Sequence, residues 1–277
     1  MKQICVLLLI LICSAKLAAQ TALFEDVSNS AGIADYGVNS GIAFTDYDAD
    51  GDQDFYISRL SGGDNLLYRN NGNGTFTEVT EAAGVNYEGS TLTSVWGDIN
   101  NDGYTDLYLG NSLERNVLYR NNGDGTFTDI SVQAAVRDQY QPRAVMMADI
   151  NADGLLDIYV ANLAAENRLY RNDGDETFTD ITASSGATDK QIAMGSLFFD
   201  YDNDGDQDLY LTHDSRQANI LYHNDGTGRF TNVAAAAGVD YEGFGMGVDA
   251  GDYNNDGWLE LYITNLFENV LYSNKRD

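Results

Sequence analysis

The chain has 277 residues, 43% of them hydrophobic, enough to build a core and too apolar for a disordered acidic tail. Its formal net charge of −28 excludes nucleic acid and anionic membrane surfaces as partners, because both demand positive potential. With 28 Gly, 1 Pro, 18 Tyr and 11 Phe, the composition favours strands joined by tight turns.

The first element reads as a targeting segment. Lys2 precedes the apolar run VLLLILI from Val6, which ends in SAKLAA from Ser14. This is the pattern of a signal peptide over residues 1–19, cleaved near Ala19, and it predicts export to the periplasm, the cell surface or the medium. The run is much shorter than the ~20 residues that cross a bilayer, so no membrane span is expected. Cys5 and Cys13 both lie inside it, and bulky Ile12 before Cys13 argues against a lipoprotein site. The mature chain is therefore expected to lack thiols, and with them disulfides and cysteine catalysis.

Beyond this segment the sequence repeats. Acidic loops open at Asp46, Asp98, Asp149, Asp200 and Asp252, spaced by 51 or 52 residues. The repeats run over about 40–91, 92–142, 143–193, 194–245, and 246–277 together with 21–39. Two tyrosine columns mark them: Tyr56, Tyr108, Tyr159, Tyr210 and Tyr262, then Tyr68, Tyr119, Tyr170, Tyr222 and Tyr272.

Within a repeat the apolar pattern has period two, the signature of strands. TSVWGD (from Thr93) is a first strand, DLYLG (from Asp106) a second, NVLYRN (from Asn116) a third and TFTDI (from Thr126) a fourth. NGDG at Asn122–Gly125 is a hairpin turn. Four antiparallel strands per repeat predict an all-β fold, a five-bladed β-propeller. The competing architecture is a linear solenoid, which requires polar end caps. The ends favour a ring. The last repeat stops at Asp277 without a fourth strand, and LFEDVSNSAGI from Leu23 matches TFTEVTEAAGV from Thr75 in register. An N-terminal strand is thus expected to complete the last blade and close the ring, leaving no free edge.

The acidic loops are DYDADGDQD, DINNDGYTD, DINADGLLD, DYDNDGDQD and DYNNDGWLE. Positions 1, 3, 5 and 9 always carry a side-chain oxygen, and position 6 is always Gly. Hard Ca²⁺ takes six to eight such oxygens, and Gly permits the positive φ that curls a chain around an ion. Without a cation the clustered carboxylates would repel one another by several kcal/mol. The candidate ligands are Asp46, Asp48, Asp50, Asp52 and Asp54; Asp98, Asn100, Asp102 and Asp106; Asp149, Asn151, Asp153 and Asp157; Asp200, Asp202, Asp204, Asp206 and Asp208; and Asp252, Asn254, Asp256 and Glu260. Position 7 varies freely, which suits a backbone carbonyl ligand. An EF-hand is excluded, since its position 12 must be Glu between helices and here is Ile57, Leu109, Val160, Leu211 or Ile263. The plainer alternative is a set of acidic turns, which would not need four oxygens in one register five times.

The pattern D-x-[DN]-x-[DN]-G-x-x-[DE] after a small, apolar strand resembles the FG-GAP/VCBS repeats best known from integrin α-subunit propellers. The resemblance covers the chain from about Phe24 onward. It implies that Asp46, Asp48, Asp50 and Asp54, with their equivalents, bind about five structural Ca²⁺ ions. Two departures stand out: integrin propellers have seven blades against the five expected here, and Glu260 replaces Asp at position 9, marking the weakest site. The F-G and G-A-P landmarks themselves are degenerate.

For a ligand, the residues after the second strand form a column of Arg59, Asn111, Asn162, His213 and Asn265 on the face opposite the metal loops, near Tyr36, Tyr87, Tyr140 and Tyr241. This ring is a candidate surface for a protein or carbohydrate; alternatively the Asn residues only end strands. His223 replaces Arg69, Arg120 and Arg171 in the third-strand column and is expected on the surface. No nucleophile–base pattern, phosphate loop or zinc cluster is present in the sequence. The expected function is a secreted, non-enzymatic adhesion or interaction module. A polysaccharide-active enzyme using the channel face and an architectural repeat are the other readings.

Overall fold

A computed structural model describes residues 24–276 apart from 34, 62 and 113. The targeting segment and both cysteines lie outside the described residues. The first sheet comprises β1 (Val38–Thr45), β2 (Asp54–Ser61), β3 (Leu66–Asn70) and β4 (Phe76–Glu78). The second is β5 (Thr91–Gly97), β6 (Asp106–Asn111), β7 (Val117–Asn121) and β8 (Phe127–Asp129), and the third is β9 (Pro142–Ala148), β10 (Asp157–Asn162), β11 (Arg168–Asn172) and β12 (Phe178–Asp180). The fourth is β13 (Ala193–Phe199), β14 (Asp208–His213), β15 (Ile220–Asn224) and β16 (Phe230–Asn232). The fifth has only β17 (Gly245–Gly251), β18 (Glu260–Asn265) and β19 (Val270–Tyr272). Each sheet is an antiparallel meander in chain order. The acidic loop always joins the first two strands, at the opposite end of the sheet from the turn between the second and third.

The first strands of successive sheets pack in series, β1 on β5, β5 on β9, β9 on β13 and β13 on β17, a propeller-like arrangement of neighbours. Apolar residues fill the spaces between sheets. The central pair is a Tyr on the second strand facing a Leu on the third: Tyr56 with Leu67, Tyr108 with Leu118, Tyr159 with Leu169 and Tyr210 with Leu221. All four tyrosines are sealed from solvent. Their hydroxyls stay satisfied, as burial requires: Tyr56, Tyr108 and Tyr210 donate to the carbonyls of Val85, Val136 and Val239 at 3.1, 3.2 and 2.7 Å. Fully burying each such side chain stabilises by roughly 1.5–3 kcal/mol.

The array does not close as the sequence led one to expect. Phe24 is 94% exposed, and Phe24–Val27 is not paired with β19. Residues Ser28–Ala31 form one helical turn that ends at Gly32 with φ of 79° and packs on the start of β4, where a Cβ at Gly32 would stand 3.0 Å from the Phe76 carbonyl oxygen. The turns after β4 and β12 sit on the next sheet in the same way, Gly84 against Phe127 O and Gly186 against Phe230 O. Among the described residues, no comparable packing joins β17 to β1. Tyr262 and Leu271 are accordingly 44% and 54% exposed, while their counterparts in the other sheets are buried. On the far side of the array, Ile42 and Phe44 of β1 are exposed as well.

Candidate metal centres

Each acidic loop folds around its own backbone. The position-1 carboxylate accepts the N–H groups of positions 5 and 6: Asp46 from Asp50 and Gly51 at 3.1 and 2.9 Å, and Asp98 from Asp102 and Gly103 at 3.1 and 2.8 Å. Asp149, Asp200 and Asp252 repeat the pair. The position-5 carboxylate then accepts the position-7 N–H, as between Asp50 and Asp52 at 2.9 Å. Two residues must be left-handed to allow this. Position 6 is Gly in every loop, with φ of 94° at Gly51, and no atom lies within 4 Å of a Cβ placed there, so glycine serves the dihedral and not space. Position 4 is also left-handed, with φ of 58° at Ala49 and 57° at Asn101, although no glycine marks it.

Position 9 lies deepest and does most to join loop to sheet. Asp106 is fully buried; its Oδ2 accepts the Ile99 N–H at 2.9 Å and its Oδ1 the Asn121 N–H at 2.7 Å, tying the loop to β7. Asp54, Asp157 and Asp208 make the same two bonds to their own loops and third strands. Burial pushes the Asp106 carboxyl up to about 7, against the lowering effect of those N–H groups, and pushes Asp54, Asp157 and Asp208 up to about 6. Glu260 departs from the set. Its longer side chain takes the Tyr253 N–H at 3.3 Å and turns the other oxygen to Asn254 Nδ2 at 2.9 Å. The Arg276 guanidinium also pairs with Asp256 in this loop.

Position 3 separates the loops into two kinds. In the second and third it is Asn, whose Nδ2 donates to the position-5 carboxylate, from Asn100 to Asp102 at 3.0 Å and from Asn151 to Asp153 at 2.9 Å. In the first and fourth it is Asp. Asp48 Oδ1 and Asp202 Oδ1 are buried with no hydrogen-bond partner. Burial and the neighbouring carboxylates of Asp50 and Asp204 push these two groups upward. Carboxylate oxygens of Asp46, Asp48 and Asp50 converge within 4.8 Å of one another, as do those of Asp200, Asp202 and Asp208. A buried acceptor among converging anions fits a cation, and these residues offer part of the oxygen set that a hard dication takes.

Several expected site residues fall elsewhere. Asp52 and Asp206, at position 7, point to the hairpin between third and fourth strands; their Oδ2 atoms lie 2.7 and 2.6 Å from where a Cβ of Gly72 or Gly226 would stand. A side chain at either glycine would occupy the space these carboxylates fill. The expected ligand ring is also corrected. Asn111, Asn162 and His213 are fully buried, and of the two partly exposed members, Arg59 and Asn265, Arg59 is held by Asp35. Their backbone N–H groups are held by a second asparagine column: Asn65, Asn116, Asn167, Asn219 and Asn269 accept from Arg59, Asn111, Asn162, His213 and Asn265 at 2.7–2.9 Å. The side chains turn inward to finish the β2–β3 turn and its equivalents. His213 Nδ1 faces the accepting Ala218 carbonyl oxygen at 2.8 Å, and Nε2 faces Asp189 Oδ2 at 2.9 Å. His223, expected on the surface, is half-buried beside the fourth loop.

A further column escaped the sequence reading although it was legible there as the Asn after Tyr-Arg, Tyr-His or Tyr-Ser. Asn121, Asn172, Asn224 and Asn274 each send Nδ2 across to the position-2 carbonyl of the preceding sheet's loop: Tyr47, Ile99, Ile150 and Tyr201, all at 2.8 Å. The loops are thereby stapled to the neighbouring sheet.

Repeated meanders, each opened by a nine-residue acidic loop and stacked through Tyr–Leu pairs, define a class: propeller-type repeat proteins with acidic turns. Comparison with known sequences agrees. The FG-GAP-like repeat matches residues 46–109, 98–160, 149–211 and 200–263, and the chain belongs to the FG-GAP-like repeat family. Human cartilage acidic protein 1 is 28% identical over 267 residues, which cover 87% of this chain and 40% of that protein. The Xenopus tropicalis protein of the same name is 27% identical over 272 residues, covering 87% and 41%. The chain thus spans about two fifths of the length of these curated relatives. Among solved structures, an Agrocybe aegerita lectin described as recognising non-reducing terminal N-acetylglucosamine superposes with a TM-score of 0.53 at 18% identity, over 86% of this chain and 63% of that one. BBS1N, solved in complex with ARL6DN, gives 0.50 at 9% identity over 83% and 60%. At these identities the likeness concerns the fold alone.

Proposed function

We propose that the chain is an exported, Ca²⁺-stabilised interaction module of propeller type, which presents a surface to a protein or a glycan and performs no catalysis. The observation that carries the metal reading is the orphaned position-3 oxygen, Asp48 Oδ1 and Asp202 Oδ1, buried among converging carboxylates. Positions 1, 3, 5 and 9 would hold the ion in each loop, to a total of about five, with the Glu260 loop the weakest. The dication supplies positive charge that cancels the repulsion and fixes the turn. Loops of this kind in extracellular modules bind at roughly 10⁻⁴–10⁻³ M, which suits a resident structural ion outside a cell. Export is supported by the N-terminal sequence pattern.

Binding to a partner is supported by membership of the repeat family and by the fold shared with a lectin. The non-catalytic reading draws on the burial of the His213–Asp189 pair, whose side chains are 0% and 3% exposed and so closed to a substrate. No helix among the described residues is long and apolar enough to cross a membrane. Native mass measurement with and without chelator counts the ions, and melting with and without chelator weighs them. Bound calcium and a lowered melting temperature in chelator are expected. No bound ion together with an unchanged melting curve would overturn the calcium reading. Glycan and protein arrays test the binding reading, and turnover of a polysaccharide panel would refute the absence of catalysis.

A further inference from the structure

The third-strand residue beside the metal loop is Arg69, Arg120 and Arg171 in the first three sheets, but His223 in the fourth. An arginine can offer a loop only fixed positive charge, since a guanidinium has no lone pair for a metal. An imidazole has one. His223 Nδ1 stands 3.4 Å from Asp208 Oδ1 and 3.5 Å from Asp202 Oδ2, beyond the range of a sound N–H···O hydrogen bond. The nitrogen is nonetheless buried and has no hydrogen-bond partner, and Asp202 Oδ1 beside it shares that condition. Tyr201 fixes the ring, edge to face at 6.0 Å and 86°. Donor atoms of Asp202, Asp204 and His223 lie within 4.8 Å of one another, and so do those of Asp200, Asp202 and Asp208. Among the described residues, no other acidic loop gathers a nitrogen ligand of this kind.

We propose that the fourth loop is a mixed nitrogen–oxygen site that takes a first-row transition dication of the Zn²⁺ class in preference to Ca²⁺, with His223 Nδ1 as the selecting ligand beside the carboxylates of Asp202 and Asp204. Calcium is hard and takes oxygen ligands. Imidazole suits zinc, copper, iron and nickel, and carboxylates serve either group of ions. One substitution at one register position therefore changes the ion that the loop prefers, while the four all-oxygen loops keep theirs. The proposal rests on the reading of these loops as metal sites and adds which ion the fourth one selects.

The test uses the exported chain with calcium in excess and Zn²⁺ as the titrant, followed by calorimetry and by ¹⁵N imidazole NMR. Beyond residue 19 the chain has two histidines, His213 and His223, so buried His213 serves as an internal reference. One equivalent of Zn²⁺ is expected to bind with the His223 resonances shifting and those of His213 unmoved. His223→Arg restores the residue used in three other sheets and keeps the strand intact, which an unchanged melting temperature in chelator checks. This variant is expected to weaken Zn²⁺ roughly a hundredfold, since losing an outer-shell partner alone costs 10–100-fold, and to leave calcium binding at the other loops unaltered. A Zn²⁺ titration that leaves His223 unmoved, or equal Zn²⁺ affinity in His223→Arg, overturns the proposal. Five calcium ions bound with zinc excluded would also overturn it while sparing the calcium reading. Zinc at His223 with no calcium bound anywhere would do the reverse.

Discussion

Replacing Asp106 by Ala separates the two tasks that position 9 carries. The side chain is fully buried and satisfies two backbone donors, Ile99 N–H at 2.9 Å and Asn121 N–H at 2.7 Å. Truncation leaves both donors buried and unpaired, at about 1–3 kcal/mol each. Part of that is offset, because the carboxylate itself is costly to bury, as its rise to about 7 indicates. The net loss in the metal-free protein is therefore expected near ~3 kcal/mol, which corresponds to a fall of roughly 6–12 °C in melting temperature for a chain of this size. Asp102→Ala is the control. That side chain is exposed and receives the N–H groups of Tyr104 and Asn100 Nδ2 at the surface. In excess chelator it is expected to melt close to the unaltered protein. With calcium present both variants are expected to lose stability, because both lose a ligand. Urea denaturation with chelator and with calcium completes the comparison. If Asp106→Ala in chelator stays within ~0.5 kcal/mol of the unaltered chain, the position-9 carboxylate does not join loop to sheet as described.

Acidity gives a second prediction. The carboxyls of Asp54, Asp157 and Asp208 at about 6 and of Asp106 at about 7 lie above the unfolded value, so the folded metal-free state binds more protons. Their contribution is complete below about pH 4 and is lost as pH rises through 6 and 7. Melting in chelator should therefore be higher at pH 5 than at pH 8, and the opposite order would refute the assignment. Asn172→Ala removes bonds to Ile99 O at 2.8 Å and Leu156 O at 3.1 Å, so about 2 kcal/mol of destabilisation is expected. Asn70→Ala loses the bond to Gln53 O and the Gly72 N–H at 3.1 Å, as Asn172→Ala also loses the Gly174 N–H at 3.0 Å, but no bond between sheets, and it should cost less; equal losses would show that the link between sheets contributes nothing. His213→Ala should lower the melting temperature by emptying a sealed site with two hydrogen bonds. A variant that melts normally yet fails to bind a partner would return His213 to the ligand surface. Finally, Glu260→Asp should tighten calcium at the fifth loop, read as a lower dissociation constant by calorimetry; unchanged or weaker binding would show that side-chain length is not what limits that loop.

Local structure was legible in the order of the residues alone. Period-two alternation, Asn-Gly turns and a Gly at position 6 specify strands, hairpins and a curled loop from contacts between residues close in the chain, and all five sheets follow it apart from a register shift where each first strand begins. The oxygens at positions 1, 3, 5 and 9 were equally legible, because a nine-residue loop brings its own side chains together. What lay between sheets was not. Burial of His213, Asn111 and Asn162, the swing of Asp52 toward Gly72, and the approach of His223 to Asp202 depend on neighbours that sequence spacing does not measure. Ring closure failed as a deduction for the same reason. Matching Phe24 to Phe76 showed that the first segment resembles a fourth strand, and its helical turn packs on β4 as the later turns pack on their next sheets, but pairing with β19 needs the two ends of the array to meet, which is set by how sheet stacks on sheet.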